Sequence, residues 1–255
     1  MNDVPEELTE PGGKIRLFVE HVLAPGAQVI LTADQSHYLL RVMRGRAGDY
    51  VLLFNGRDGE WRARITDANR RACVLTCQEN TLPQTDVPDL WLVFAPVKRT
   101  PTGYLTQKAT ELGVRALQAV TTHRTIARRV NLERMRANAM EAAEQSGRVS
   151  VPAIFEPAEL PNLLAEWPNE RRLVFCDEGG DALPLIDALD RDPGHESWAI
   201  LTGPEGGFDE EERAAIRARP FVLPVTLGPR IIRADTAALA ALSIWQAKRG
   251  DWRKD

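Results

Sequence analysis

The sequence predicts an α/β protein of two domains: a small β-barrel, then an α/β domain on a mostly parallel sheet. Three observations carry this. Short apolar segments joined by tight-turn residues fill the first part of the chain. A stretch poor in apolar residues, TLPQTDVPD with Pro83 and Pro88, then breaks the pattern within the 255 residues. Beyond it, continuous apolar runs alternate with segments of helical period. The expected domains are residues 1–82 and 88–255.

In the first part, KIRLFVE and AQVIL have the length of strands. QSHYLLRVMR follows with Tyr38, Leu39, Val42 and Met43 at helical spacing, which predicts a short helix with His37 at its start, capping or packing the turn. GDYVLLFNGRDGEWRARITDA reads as two strands joined through Asn55-Gly56 and Asp58-Gly59, which supply turn chemistry. RACVLTCQEN is a third strand. Short strands and tight turns point to a small barrel.

From Leu90 the rhythm changes. LWLVFAPV is an unbroken apolar run, the pattern of a strand buried on both faces. PTGYLTQKATEL is a helix closed by Gly113. VRALQAVTT is a strand, NLERMRANAMEAAEQSG a helix ending at Gly147, RRLVFCDE a strand, and LPLIDALD a helix. SWAILTG is a strand, DEEERAAIRA a helix, FVLPVTLG a strand, and DTAALAALSIWQAKR the last helix. This alternation requires crossovers and hence a parallel sheet.

Bulk properties exclude several classes. No apolar run approaches the roughly 20 residues that span a bilayer. The opening MNDVPEELTE is acidic and lacks the basic start and apolar run of a secretory signal, so a cytoplasmic protein is expected. Three cysteines fit no disulfide framework; Cys73 and Cys77 share one strand face and read as buried small hydrophobes, and no metal is expected. The net charge of −4 argues against a nucleic-acid partner, whereas two basic zones read either as solvated faces or as a surface for a polyanion. Arginines crowd Arg41 to Arg71, and a second basic zone runs from Lys98 to Arg148.

Two strand ends carry the candidate chemistry. LTGPEGGFDEEE and TLGPRIIRADTA each leave a strand through Gly-Pro, at the edge where open α/β sheets bind ligands. The first has neither G-x-G-x-x-G nor a P-loop lysine. Pro204 removes a donor and Glu205 adds negative charge, so a cationic ligand or a neutral ring suits it better than phosphate. Asp209 reads as the N-cap of the next helix, with Glu212 completing a capping box, and this accounts for the acidic run without catalysis. In the second loop Asp235 or Thr236 is the expected N-cap. Ala237, Ala238, Ala240 and Ala241 give that helix a smooth surface for close packing on the sheet or on another subunit. Arg233 is a cation beside a ligand loop, able to orient a phosphate or a carbonyl.

LTGPEGGF and LGPRIIRADTA resemble the cofactor loops of SPOUT-class RNA methyltransferases, and the nearest resemblance is to the RsmE family of 16S rRNA uracil-N3 methyltransferases. HYLLRVMRGRAGD, QKATELGV and EAAEQSGRVSVP are similar to its other signature stretches, so the resemblance covers nearly the whole chain. It implies an N-terminal PUA-like RNA-binding domain, a C-terminal SPOUT domain with a deep trefoil knot, a homodimer, S-adenosylmethionine as cofactor, and 16S rRNA of the small ribosomal subunit as partner. The residues implied for cofactor binding are Leu201, Thr202, Gly203, Glu205, Gly206, Gly207, Leu227, Gly228, Ile231, Ile232, Thr236 and Ala237. Those implied for RNA contact are Arg41, Arg44, Arg124, Gln145 and Arg148. Arg233 is implied as the catalytic group, stabilising negative charge on a uracil oxygen. The sequence departs from the family pattern where Asp235 stands in place of Glu, where His123 precedes Arg124 in place of Glu, and where Pro101 and Gly103 interrupt a helix that is more regular in the family, which implies a later helix start here. The alternatives are another RNA target, such as tRNA or a ribose 2′-hydroxyl, and a non-catalytic assembly factor.

Overall fold

The computed structural model describes residues 6–10, 13–97, 102–127, 129–177, 181–192 and 194–253. Pro101 lies outside them, as do Lys98, Arg99 and Arg128 of the second basic zone, and the helix expected to start late begins at Thr102 with Gly103 inside it. The chain divides into two compact units, Met1–Asp86 with Ala143–Val151, and Val87–Ala142 with Pro152–Asp255. No helix among the described residues is long and apolar enough to cross a membrane.

The first unit holds β1 (Thr9–Glu10), β2 (Gly13–Lys14), β3 (Arg16–Phe18), β4 (Gln28–Ile30), α1 (Ala33–His37), β5 (Tyr50–Phe54), β6 (Glu60–Asp67) and β7 (Val74–Leu82). Five of these strands form one sheet in the order β3-β5-β6-β7-β4, antiparallel except for the β3–β5 pair. One apolar core of this sheet gathers Leu17, Val29, Leu53, Ile65 and Leu75. Cys73 and Cys77 are buried in the same core, and burial pushes the Cys73 thiol up to about 11.

The helix expected over QSHYLLRVMR needs correction. It starts earlier, because Thr32 caps it and Gln35 completes a capping box, so His37 is its last residue rather than its first. A π-helical turn, Tyr38–Val42, follows, and Met43 N donates to Tyr38 O at 3.0 Å. The spacing of Tyr38, Leu39 and Val42 fits either helix type, so periodicity missed the change. The turn ends at Arg44 with φ 60°, a left-handed conformation unusual for a side chain of this size.

Ala143–Val151 belongs to this unit for a physical reason. Arg16 is nearly buried against Glu60 at 2.5 Å. Its remaining donors reach Ala143 O, Glu144 O and Arg148 O at 2.8, 3.0 and 2.7 Å. The first two are terminal carbonyls of a helix, groups that have no partner within the helix itself.

The second unit holds β8 (Leu90–Phe94), α2 (Thr102–Glu111), β9 (Ala116–Thr121), α3 (Leu132–Ser146, whose last residues join the first unit), β10 (Ala153–Glu159), α4 (Leu160–Ala165), β11 (Arg171–Cys176), β12 (Leu183–Pro184), α5 (Leu185–Arg191), β13 (Ser197–Thr202), α6 (Glu210–Arg217), β14 (Val222–Thr226) and α7 (Ala234–Arg249). The seven strands run in the order β10-β9-β8-β13-β11-β14-β12, every pair parallel. Successive residues alternate between two cores. Leu92, Phe94, Trp198 and Ile200 face α2, α5 and α7. Val93, Phe175, Ala199 and Leu201 face α4 and α6. Burial on both faces is why these strands read as unbroken apolar runs.

β10, β12 and α4 were not legible in the sequence. β10 is an edge strand, mostly exposed, and Pro157 interrupts its register between Phe155 and Ala158. The small face of α7 packs inward: Ala238, Ala241, Leu242 and Trp245 are buried against the sheet.

The N-terminal edge of the sheet is pinned by charge. Arg171 donates to both Asp89 oxygens at 3.0 and 2.7 Å and stacks 3.8 Å from the Trp91 ring, and Ser197 Oγ donates to Asp89 at 2.8 Å. Burial raises the Asp89 pKa, but the bonds from Arg171 and Ser197 outweigh it and hold the carboxyl below its usual range. A depressed carboxylate pKa stabilises the fold above the unfolded value and loses that effect as pH falls through the folded value. Asp89→Asn is expected to lower stability at neutral pH by about 1–2 kcal/mol, since the carboxylate is partly exposed. Urea unfolding as a function of pH checks this: the gap between wild type and variant should close below about pH 4.

Candidate functional site

β11 lies between β13 and β14, so the loops leaving those outer strands face one another across its end. Together they line a cavity of about 870 Å³, within the second unit. The first loop, residues 203–209, is a tight fold. Gly207 N donates to Pro204 O at 2.9 Å, and Gly207 has φ 66°. Phe208 turns back over Gly203 and meets Phe175 edge-on with centroids 5.0 Å apart. A Cβ on Gly203 would lie 2.6 Å from the Phe208 ring, so the ring can seat there only over glycine. The second loop, residues 227–233, leaves β14 through a mutual bond pair between Thr226 Oγ1 and Gly228, the latter at φ 111°.

Asp209 caps α6 as expected: its Oδ1 accepts from Glu212 N at 2.8 Å, and Glu212 returns a bond to Asp209 N at 3.4 Å. The α7 start differs from expectation. The helix begins at Ala234 with Arg233 at the N-cap position and no side-chain cap bond, while Asp235 inside the first turn accepts from Thr236 N at 2.8 Å. An acceptor near a helix start does not by itself fix which residue is the cap.

Thr202, Gly203, Glu205, Gly207, Leu227, Gly228, Ile231, Ile232, Arg233 and Ala237, all singled out in the sequence, line the cavity. Leu201, Gly206 and Thr236 do not: Leu201 is in the core, and the Gly206 Cβ direction faces Arg124 at 3.5 Å. Ile231 is 92% exposed, a large apolar side chain presented to solvent at the cavity. Arg41 and Arg44 are exposed around the π-helical turn of the first unit. Gln145 and Arg148 belong to the other segment of that unit, and the Arg148 guanidinium donates back to Ser150 O at 3.1 Å. Arg124 is in the second unit, with Nη1 donating to Gly206 O at 2.8 Å.

Sequence reading missed Cys176, Asp177, Ile126 and Phe208 at the cavity. Asp177 had a usable signal, since it is the first charged residue past the apolar run of β11, where ligands of parallel sheets sit. Its buried carboxylate accepts from Arg213 Nε at 2.7 Å and Arg217 Nε at 2.6 Å, tying α6 to the end of β11. Burial pushes the Cys176 thiol up to about 12, so it is no nucleophile at neutral pH.

His123, Asp209 and Glu212 bring potential metal-ligating atoms within 4.8 Å of one another. All four carboxylate oxygens already accept bonds from N–H groups: the two of the capping box, and His123 Nδ1–H and His123 N at 2.6 and 2.8 Å. The cluster is explained by helix capping.

A family model for an RNA methyltransferase domain matches residues 84–246, and one for an RNA methyltransferase PUA domain matches residues 31–76. Ribosomal RNA small subunit methyltransferase E of Synechocystis sp. is 33% identical over 221 residues, covering 85% of this chain and 72% of that protein. Its counterpart in Rickettsia conorii is 28% identical over 229 residues, covering 89% and 93%. The crystal structure of the Neisseria gonorrhoeae ribosomal RNA small subunit methyltransferase E bound to S-adenosyl methionine superposes with a TM-score of 0.83 at 30% identity, over 94% of this chain and 99% of that one. A Legionella pneumophila methyltransferase in complex with the bound cofactor SAM gives 0.80 at 27% identity, over 93% and 98%.

The tie between α6 and β11 is testable. Asp177→Ala removes the carboxylate that Arg213 and Arg217 share, while Arg217 keeps its bond to Asp181 at 2.6 Å. Because both arginines are partly exposed, the expected loss is about 1–3 kcal/mol rather than the full cost of breaking a buried pair. Thermal unfolding measures it, and an unchanged midpoint would mean that the pair carries no net stability.

Proposed function

Because the chain belongs to the family of ribosomal RNA small subunit methyltransferase E, we propose that it methylates N3 of one uridine in the 16S rRNA of the small ribosomal subunit, using S-adenosylmethionine. The observation that carries this reading is the convergence of two Gly-Pro loops on one cavity, with Glu205 in the first and Arg230 and Arg233 in the second.

The cavity suits the cofactor. Its volume of about 870 Å³ is that of a small-molecule site. The residues that would hold the cofactor are those of the sequence's set that line the cavity, with Gly207 and Gly228 allowing close backbone approach. When bound, S-adenosylmethionine supplies an electrophilic methyl on a positively charged sulfonium. Glu205 provides complementary charge, and the first loop contains no cation to oppose it. Uracil N3 carries a proton near neutral pH, so transfer needs a site that favours the anion. Arg233, exposed at the cavity, offers a guanidinium to a uracil oxygen as negative charge develops there.

The remaining assignments follow the same reading. Residues 1–82 act as the PUA-like RNA-binding domain and residues 88–255 as the methyltransferase domain, with α7 completing the trefoil knot. Arg41, Arg44, Gln145 and Arg148 contact RNA, whereas the Arg124 bond to Gly206 O fits a role in holding the loop. The protein works in the cytoplasm as a homodimer. Its net charge of −4 favours a folded ribosomal surface over naked RNA as substrate.

Calorimetry should detect S-adenosylmethionine binding to the wild type. Gly228→Val should weaken it at least about tenfold, because an L side chain cannot adopt the local φ without strain. Arg233→Ala should keep cofactor binding but lower kcat by about 100-fold, the scale for losing one preorganised charge donor; undiminished kcat would remove Arg233 from the mechanism. Nucleoside mass spectrometry of rRNA from a strain lacking the gene tests the target. The proposal requires loss of one N3-methyluridine from 16S rRNA. Loss of a tRNA or ribose methyl would select another target, and an unchanged profile would select a non-catalytic role.

A further inference from the structure

We propose that His123 and Arg124, on the segment following β9, are positioning residues that hold the first cavity loop in a single conformation for the cofactor. The proposal rests on the reading of the cavity as the S-adenosylmethionine site.

Two successive residues make three bonds to three points along the loop and the start of α6. Arg124 Nη1 donates to Gly206 O at 2.8 Å, at the tip of the turn. His123 Nδ1 meets Asp209 Oδ2 at 2.6 Å, at the N-cap. Since a carboxylate oxygen can only accept, Nδ1 carries the proton. His123 N donates to Glu212 Oε1 at 2.8 Å, at the buried end of the capping box. The segment making these bonds is itself anchored. Thr122 and Thr125 are buried, Thr122 N donates to Thr125 Oγ1 at 2.8 Å, and Thr125 N donates to Thr122 O at 3.1 Å. The next residue, Ile126, lines the cavity, so the fixed segment touches both the loop and the ligand space.

The loop needs such support. Gly206 is exposed, Gly207 is at positive φ, and glycine backbone loses more freedom on ordering than any other. A loop ordered before binding spares the ligand that entropic cost, which appears as tighter binding. His123 also makes the clamp sensitive to pH. Its ring faces Asp209, Glu211 and Glu212 on the loop and α6, and the charge of Arg124 acts on Asp209 beside it. The bond that His123 donates to Asp209, followed by the charge of Glu212, raises the His123 pKa. The charge-assisted bond is therefore complete below about pH 6.5. It weakens to a neutral bond as pH rises through the raised folded value.

The test uses the full-length protein, with S-adenosylmethionine as the probe. His123→Ala and Arg124→Ala are each expected to raise its KM about tenfold while lowering kcat less than threefold. His123→Gln and Arg124→Lys, which keep a donor, should recover most of the loss. The rise in wild-type Kd as pH passes through the raised His123 value should disappear in His123→Ala. Hydrogen exchange without cofactor gives a readout independent of the cavity assignment: the Gly207 amide, bonded to Pro204 O, should exchange about tenfold faster in both alanine variants. Unchanged exchange and unchanged KM would overturn the clamp while leaving the cofactor site intact. A wild type that does not bind S-adenosylmethionine would overturn the site assignment, and the exchange rates would then decide the clamp alone. For Arg124, a rise confined to the KM for RNA would overturn the positioning role in favour of direct RNA contact.

Discussion

The strand order β8-β13-β11-β14 is the constraint on which the rest of the molecule depends. In a parallel sheet all strands end at the same edge, so every loop leaving that edge competes for the same space. Here β11 separates the two strands that end in Gly-Pro. The spacing between strands in a sheet is about 4.8 Å, so one intervening strand sets the loops roughly 10 Å apart, the width of a small ligand. Asp177 stands at the end of that middle strand and fixes α6 there through two arginines. Pocket, loops and helix placement are thus consequences of one ordering of strands.

The same order explains how a flexible feature sits on a rigid base. Trp198 and Ile200 bury one face of β13, Ala199 and Leu201 the other, so the strand carrying the first loop is fixed from both sides. At the opposite edge of the sheet, Arg171 and Asp89 join the beginnings of β8 and β11. Freedom is therefore confined to the few residues beyond the strand ends. Phe208 takes up part of that freedom by returning into the core, and the His123–Arg124 segment takes up more from outside.

What the sequence made legible follows from which forces are local. Strands buried on two faces announce themselves, so β8, β9, β11, β13 and β14 were all visible. The Asp209–Glu212 capping box was also readable, because a cap spans only one turn. Both loops could be assigned to one site because the chain marks each with Gly-Pro. What failed depended on distant partners. β10 survives with Pro157 because it needs only one neighbour. The Arg16 bonds to Ala143 and Glu144 cross more than a hundred residues, and no local pattern marks them. Residues pointing to the site, such as Asp177 and Ile126, fall in loops whose course only the fold determines. Thr32 is the opposite case: its cap with Gln35 was local and readable, yet the apolar spacing farther along drew attention away from it.

Cys176 has a consequence for the chemistry. A sulfonium methyl is an alkylating agent, and a thiolate beside it would be a stronger nucleophile than any uracil nitrogen. The wall that shapes this cavity includes such a sulfur. Desolvation pushes the thiol up to about 12, so it stays protonated at neutral pH. On the proposed reading of the cavity, a thiol held protonated in its wall is one competing acceptor fewer for the methyl of the cofactor.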